Sequence, residues 1–184
     1  MLTPRAFWFL RHGETDWNAR GLSQGNVDIP LNPVGRAQAV TAAGLLRNRG
    51  IRTIVASPLS RAHDTALEAA KAIGRDVLLD DELKEVAFGV QEGQPMAQWF
   101  DDWVEGSFTP EGAEPFAALR ARAVAALNRA LALEAPVLVV AHGALFRALR
   151  AEMALPANVR TPNAVPLFCE PGPGPAPWTL TPAA

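Results

Sequence analysis

Two arginines and two histidines stand where apolar runs end abruptly: Arg11-His12-Gly13, Ser57-Pro58-Leu59-Ser60-Arg61 and His142-Gly143. In each case a stretch of strand length breaks into polar or basic residues, and a helix or loop follows. In a parallel sheet such ends share one edge, where open α/β proteins place their ligands. Two guanidiniums clamp an oxyanion by bidentate, charge-assisted bonds. One imidazole can act as a nucleophile and the other as a donor to the same oxygens. The set suits a phosphoryl group. Helix N-termini after Ser57-Pro58 and His142-Gly143 are expected to add backbone donors. Within a continuous strand Arg11 and His12 point to opposite faces. Both reach one pocket only if the chain turns there, as Gly13 permits.

The elements that must position these residues alternate. A strand over about Ala6–Arg11 is followed by a loop, Thr15–Ile29, with at most a short helical turn. Asn32-Pro33 is an N-cap with proline at the first helical position, and that helix is expected to close at Gly50. A strand at Arg52–Ala56, a helix at Leu59–Ile73 and a short strand at Val77–Leu79 come next. Asp80–Gly93 is irregular, Met96–Trp103 is rich in aromatic residues, and a long helix spans about Glu114–Glu134. Val137–Ala141 is the most apolar strand and feeds a helix to about Leu155. Half of the sixteen prolines lie from Pro156 onward, where Ala164–Cys169 and Trp178–Leu180 suit an edge hairpin. This order predicts a single domain over 1–184: a three-layer α/β/α sandwich on a mostly parallel central sheet.

Bulk properties exclude several classes. With 17 basic and 19 acidic residues among 184, no strong field favours nucleic acid or an anionic membrane. The only lysines are Lys71 and Lys84, so arginine dominates the basic side. The single cysteine, Cys169, rules out an intrachain disulfide and argues against a cysteine-based metal cluster. Neither a signal segment nor an apolar run of membrane-spanning length is evident, which leads to the expectation of a cytoplasmic protein.

The motifs resemble those of the histidine phosphatase superfamily, the phosphoglycerate mutase-like proteins. They are Arg11-His12-Gly13-Glu14-Thr15 with Trp17-Asn18, and Gln24-Gly25 with Asp28, Pro30 and Leu31. Then come Ser57-Pro58-Leu59-Ser60-Arg61-Ala62, Leu83-Lys84-Glu85 with Phe88-Gly89, and Val140-Ala141-His142-Gly143. They occur in the family's order over most of the chain to about residue 150. The resemblance implies that His12 is the nucleophile and forms a phosphohistidine. It implies that Arg11, Arg61 and a cationic His142 hold the phosphoryl group. Glu85 is then the acid and base at the leaving oxygen. Asn18, Gln24, Gly25 and Gly143 contact phosphate or leaving group less directly. No metal and no cofactor is implied, the arginines carrying the electrostatic work.

Other residues are read more plainly. His63 lies outside the pattern and suits a surface or structural histidine. Glu82 competes with Glu85, but only Glu85 falls in Leu-x-Glu-x-x-Phe-Gly. No histidine pair has metal-ligand spacing. Trp99, Phe100 and Trp103, at helical spacing, suit core and pocket equally. Gly112-Ala113-Glu114-Pro115 departs from the Gly-Gly-Glu-Ser stretch common in the family, which predicts an altered lid rather than lost activity.

Phosphomonoester hydrolysis is expected over phosphoglycerate mutase-type transfer, because the chain is short and because Val86–Gln91 contains no base to hold a triose carboxylate. The partner is then a small phosphorylated metabolite, with no role for nucleic acid or membrane; the edge hairpin and the apolar lid leave room for a homodimer. A non-catalytic module that binds a phosphorylated ligand is the contrasting reading, and intact His12 and Glu85 weigh against it. The intact Leu83–Glu92 segment weighs against a phosphohistidine-protein phosphatase.

Overall fold

A computed structural model describes residues 1–184. It contains strands β1 (Phe7–Arg11), β2 (Thr53–Ala56), β3 (Val77–Leu79), β4 (Val137–Ala141), β5 (Leu167–Glu170) and β6 (Thr179–Pro182). The helices are α1 (Asp16–Ala19), α2 (Pro33–Leu46), α3 (Ser60–Ile73), α4 (Gln98–Glu105), α5 (Phe116–Leu131) and α6 (Gly143–Glu152). One six-stranded sheet runs in the order β3-β2-β4-β1-β5-β6. β1 to β4 are parallel to one another, while β5 and β6 add as an antiparallel hairpin on the far side of β1.

Alternation along the strands sorts the core into two layers. Phe7, Phe9, Val137, Val139 and Ala141 face a cluster built with α5, α6 and the aromatic residues of α4. Phe9 stacks on Phe146 of α6 with ring centroids 4.0 Å apart. Trp8, Leu10, Ile54, Ala56, Leu138 and Val140 face the other way, onto the small residues of α2 and α3. Each sheet face buries its apolar side chains under helices, which gives the three-layer α/β/α sandwich.

Local signals account for most boundaries. Asn32 accepts from the Gly35 N–H at 2.8 Å and caps α2. Gly74 closes α3 in the left-handed conformation, with φ of 75°. Gly50 does not close α2: the helix ends at Leu46, and Gly50 sits beyond the turn that follows, at φ of 70°. The Arg49 N–H bonds to the Leu46 carbonyl instead, so the turn rather than the glycine ends the helix. No helix is long and apolar enough to cross a membrane.

Register is what matters for function. Arg11 pairs with Ala141, and Ala56 pairs with Val140. The chain leaves the three strands at one level, with His12 N–H on the Ala141 carbonyl and Ser57 N–H on the Val140 carbonyl. His12, Ser57 and His142 are thereby neighbours at one sheet edge.

Candidate active site

That edge opens into a cavity of about 330 Å³ lined by Arg11, His12, Asn18, Gln24, Gly25, Arg61, Glu85 and Gly143, among others. His142 lies directly beside it, its ring centroid 5.3 Å from that of His12. All nine residues expected at the site come together.

The two guanidiniums arrive from opposite faces of the sheet. Arg11 shares its face with Phe7 and Phe9, and the missing side chain of Gly143 makes room for it. A Cβ on Gly143 would stand 3.2 Å from Arg11 Nε. Arg61 comes from the first turn of α3, where Thr65 ties that helix to the end of β1 by accepting the Gly13 N–H. Each guanidinium is pinned from behind: Arg11 Nη1 donates to the Thr161 carbonyl at 2.6 Å, and Arg61 donates to the Val27 and Gly25 carbonyls, both at 2.8 Å. Both Nε atoms are left without a partner.

Hydrogen bonds also orient the histidines. His12 Nδ1 lies 2.7 Å from the Gly13 carbonyl, an acceptor, so the proton sits on Nδ1 and the Nε2 lone pair is free. His142 Nε2 lies 2.8 Å from Ser57 Oγ, which itself accepts the Leu59 N–H. The Ser57 hydroxyl has no other acceptor in reach, so the arrangement that satisfies it has Oγ–H donating to Nε2 and the His142 proton on Nδ1, which has no partner. Burial and the adjoining arginine charges hold both histidines well below the usual imidazole pKa, so His142 is neutral in the ligand-free pocket rather than cationic. It can still donate through Nδ1. Burial also lowers Arg11, to about 10, against the opposing pull of Glu85; it stays charged at neutral pH.

The amides are aimed in the same manner. Asn18 Oδ1 accepts from the Thr15 N–H and from Asn163 Nδ2, and Gln24 Oε1 accepts from the Thr15 hydroxyl. Both NH₂ groups are left to donate into the cavity.

Glu85 is held differently from the sequence-based expectation. Its Oε2 accepts from Ala144 N–H at 2.9 Å, while Oε1 accepts from Leu145 and Val86 N–H at 2.9 and 3.1 Å. It therefore caps α6, and those first-turn donors are not open to a ligand. Asp28 likewise occupies the Ser60 N–H at the start of α3. A buried carboxylate at a helix N-terminus is stabilised by those donors and by the helix dipole, so Glu85 is fixed beside the cavity by the helix it caps. Arg122 of α5 grips the same segment from outside, donating to the Glu82 and Lys84 carbonyls and pairing with Glu114. Glu114 of the divergent stretch before α5 thus has a structural partner.

Among the aromatic residues, Trp103 is wholly buried, Phe100 serves core and pocket together, and Phe88 and Met96 complete the apolar wall. Trp99 packs on Phe88 and does not line the cavity. His63 is half-buried on α3 and lies outside the cavity. No three His, Cys, Asp or Glu side chains are grouped to hold a metal.

The cavity holds two cations beyond Arg11 and Arg61. Val86–Gln91 contributes none, but Arg147 of α6 and Arg160 of the following loop line the cavity. Four arginines then surround one carboxylate, Glu85. A signal for Arg147 was present: a lone arginine amid Ala144, Leu145, Phe146, Ala148 and Leu149, five residues after a strand-end histidine. Ser57, Asn163 and Thr161 were also missed as supports.

The depressed histidines predict a pH dependence of folding. Below about pH 6.5 the unfolded chain takes up protons on His12 and His142 that the folded protein refuses, so stability diminishes as pH falls. The midpoint of thermal unfolding should drop between pH 7 and pH 5, and less so in a His12→Asn variant. Equal drops in the two proteins would mean that His12 titrates normally in the fold.

A family model described as histidine phosphatase superfamily (branch 1) matches residues 7–164. A probable phosphoglycerate mutase GpmB of Yersinia pestis is 39% identical over 164 residues, covering 82% of this chain and 76% of that protein. A bifunctional protein of Mycobacterium tuberculosis is 38% identical over 154 residues; the match covers 76% of this chain but only 42% of the relative's length. The solved structure of a mycobacterial glucosyl-3-phosphoglycerate phosphatase in complex with VO3 superposes with a TM-score of 0.83 at 33% identity, covering 96% of this chain and 97% of that one.

Proposed function

The chain belongs to the histidine phosphatase superfamily, and we propose that it is a phosphatase that hydrolyses a small phosphomonoester, without a metal, through a phosphohistidine on His12. One observation carries the reading. The buried side-chain nitrogens and oxygens without a hydrogen-bond partner are Arg11 Nε, Arg61 Nε, His142 Nδ1 and Arg147 Nε, and all belong to this site. Unpaired buried donors cost about 1–3 kcal/mol each, and an oxyanion set among them satisfies them together.

The phosphoryl group lies between Arg11 and Arg61, with His142 Nδ1–H, Asn18 and Gln24 donating to its oxygens. His12 Nε2 attacks phosphorus while the ester P–O bond breaks. The substrate enters as its monoanion, and Glu85 Oε2, a carboxylate oxygen with a single backbone donor and so a free lone-pair site, takes that proton and passes it to the leaving oxygen. Glu85 then takes a proton from the water that attacks phosphorus and breaks the Nε2–P bond. Charge that develops on the transferred oxygens is met by donors already in place. Neutral His12 needs no deprotonation before it attacks.

Hydrolysis of p-nitrophenyl phosphate in EDTA tests this directly, together with trapping of a phosphoenzyme by rapid quench. Turnover that EDTA spares, with a label that acid releases and alkali preserves, is the expected result. Activity that EDTA removes and Mg²⁺ restores, or the absence of any covalent label, would overturn it.

A further inference from the structure

The loop between α6 and β5 holds the end of β1 from behind. The Thr161 carbonyl accepts from Arg11 Nη1, the Ala164 N–H donates to the Arg11 carbonyl at 2.9 Å, and between them Asn163 Nδ2 donates to the His12 carbonyl at 3.0 Å. Ala164 is buried and adopts a φ of 49°, a left-handed conformation that alanine rarely takes. Such a conformation persists only where its surroundings over-determine it, and it is concentrated at functional sites. Here the groups on either side of that turn, the Asn163 side chain and the Ala164 N–H, both meet the end of β1.

Asn163 does not line the cavity. Its NH₂ group has a second acceptor, Asn18 Oδ1, at 3.2 Å, and Asn18 does line the cavity. The direction of this contact is fixed at both ends by backbone groups that cannot be reversed. The His12 carbonyl only accepts, so the Asn163 NH₂ must face it. The Thr15 N–H only donates, so Asn18 Oδ1 must face that group, at 3.2 Å. Asn18 Oδ1 is thereby held between two donors. The Thr15 hydroxyl extends the same order by one residue, accepting from the Asn18 N–H and donating to Gln24 Oε1.

We propose that Asn163 is a positioning residue: anchored on the His12 carbonyl, it sets the Asn18 amide so that a donor and not an acceptor meets the phosphoryl oxygens. The role rests on the phosphatase reading for the reaction it serves but not for the binding of phosphate. An Asn18 amide turned the other way would set Oδ1 against the anion, replacing a charge-assisted bond with a repulsion.

Asn163→Asp tests the role, because it keeps the shape and replaces the NH₂ donor with oxygens that only accept. The Asn18 amide then turns its NH₂ toward the introduced carboxylate and away from phosphate. The kcat/KM for p-nitrophenyl phosphate should fall roughly 10- to 100-fold, the scale of one hydrogen bond to a charged group. In an Asn18→Ala background the same substitution should cost less than about threefold, since the amide through which it acts is gone. The ratio of variant to wild-type activity should also rise from pH 7 to pH 5. A carboxyl facing two acceptors resists ionisation and, once protonated, donates again. Equal costs in the two backgrounds refute the role, whatever the pH. If Asn163→Asp does not fold, Asn163→Ala removes the donor without adding an acceptor and gives the same comparison with a smaller loss. If the wild-type protein does not turn over the ester, the hydrolytic reading fails, and the same pairs are read from protection by inorganic phosphate against thermal unfolding. Protection weakened by Asn163→Asp but not weakened further in the Asn18→Ala background supports the role; equal weakening in both refutes it.

Discussion

His12→Ala lowers kcat/KM by on the order of 10⁴–10⁶-fold, the scale at which a nucleophile's removal leaves only binding and electrostatic stabilisation. The loss is this large because no other side chain can take over the attack. Ser23 Oγ is turned to the Met96 sulfur, Ser57 is committed to His142, and Cys169 is buried on β5 with its thiol pKa pushed up by burial. Arg11, Arg61, Asn18 and Gln24 remain, so inorganic phosphate should still protect the variant from thermal unfolding. Quench labelling with a phosphorylated substrate is the decisive measurement. A covalent label of undiminished yield in His12→Ala would move the nucleophile elsewhere.

Glu85→Gln slows turnover of an alkyl phosphate by roughly 10²–10⁴-fold but affects p-nitrophenyl phosphate far less, since p-nitrophenolate leaves without a proton. The comparison with Glu85→Ala separates chemistry from folding. Glutamine keeps an acceptor oxygen on the α6 N-terminus, whereas alanine strands the buried Ala144, Leu145 and Val86 N–H groups, at about 1–3 kcal/mol for each left dry. The alanine variant should therefore unfold at a distinctly lower temperature than the glutamine variant, with both catalytically impaired on the alkyl ester. Equal slowing of both esters by glutamine would mean that Glu85 positions the phosphate rather than moving a proton.

The strands and most helix boundaries were legible because strand composition and the N-cap of α2 are local signals. So were the site residues at strand ends, because a parallel sheet brings those ends together. What was not legible depends on partners far along the chain. Glu85 caps a helix 59 residues ahead of it, and nothing around Glu85 announces that partner. The neutral state of His142 follows from its burial among arginines, which spacing does not reveal. Arg160 comes from an irregular segment between prolines, where neither period nor motif gives direction. The absence of bases after Glu85 was true of the sequence but said little about the pocket, because the cations came from the other side of it.

The strand order has a consequence for how the site comes into being. β4 lies between β1 and β2, although it is made more than 80 residues after β2 begins. Until it inserts, β1 and β2 have no shared neighbour, His12 and Ser57 have no common level, and His142 is absent from between them. Pairings this distant in sequence form slowly and late. A partly folded chain therefore holds the nucleophile and Arg11 in one piece and Arg61 and His142 in others, with none able to act alone on a phosphate ester. Competence for chemistry arrives in one step with the closing of the sheet, and the capacity to bind phosphate marks the moment at which the centre of the fold is complete.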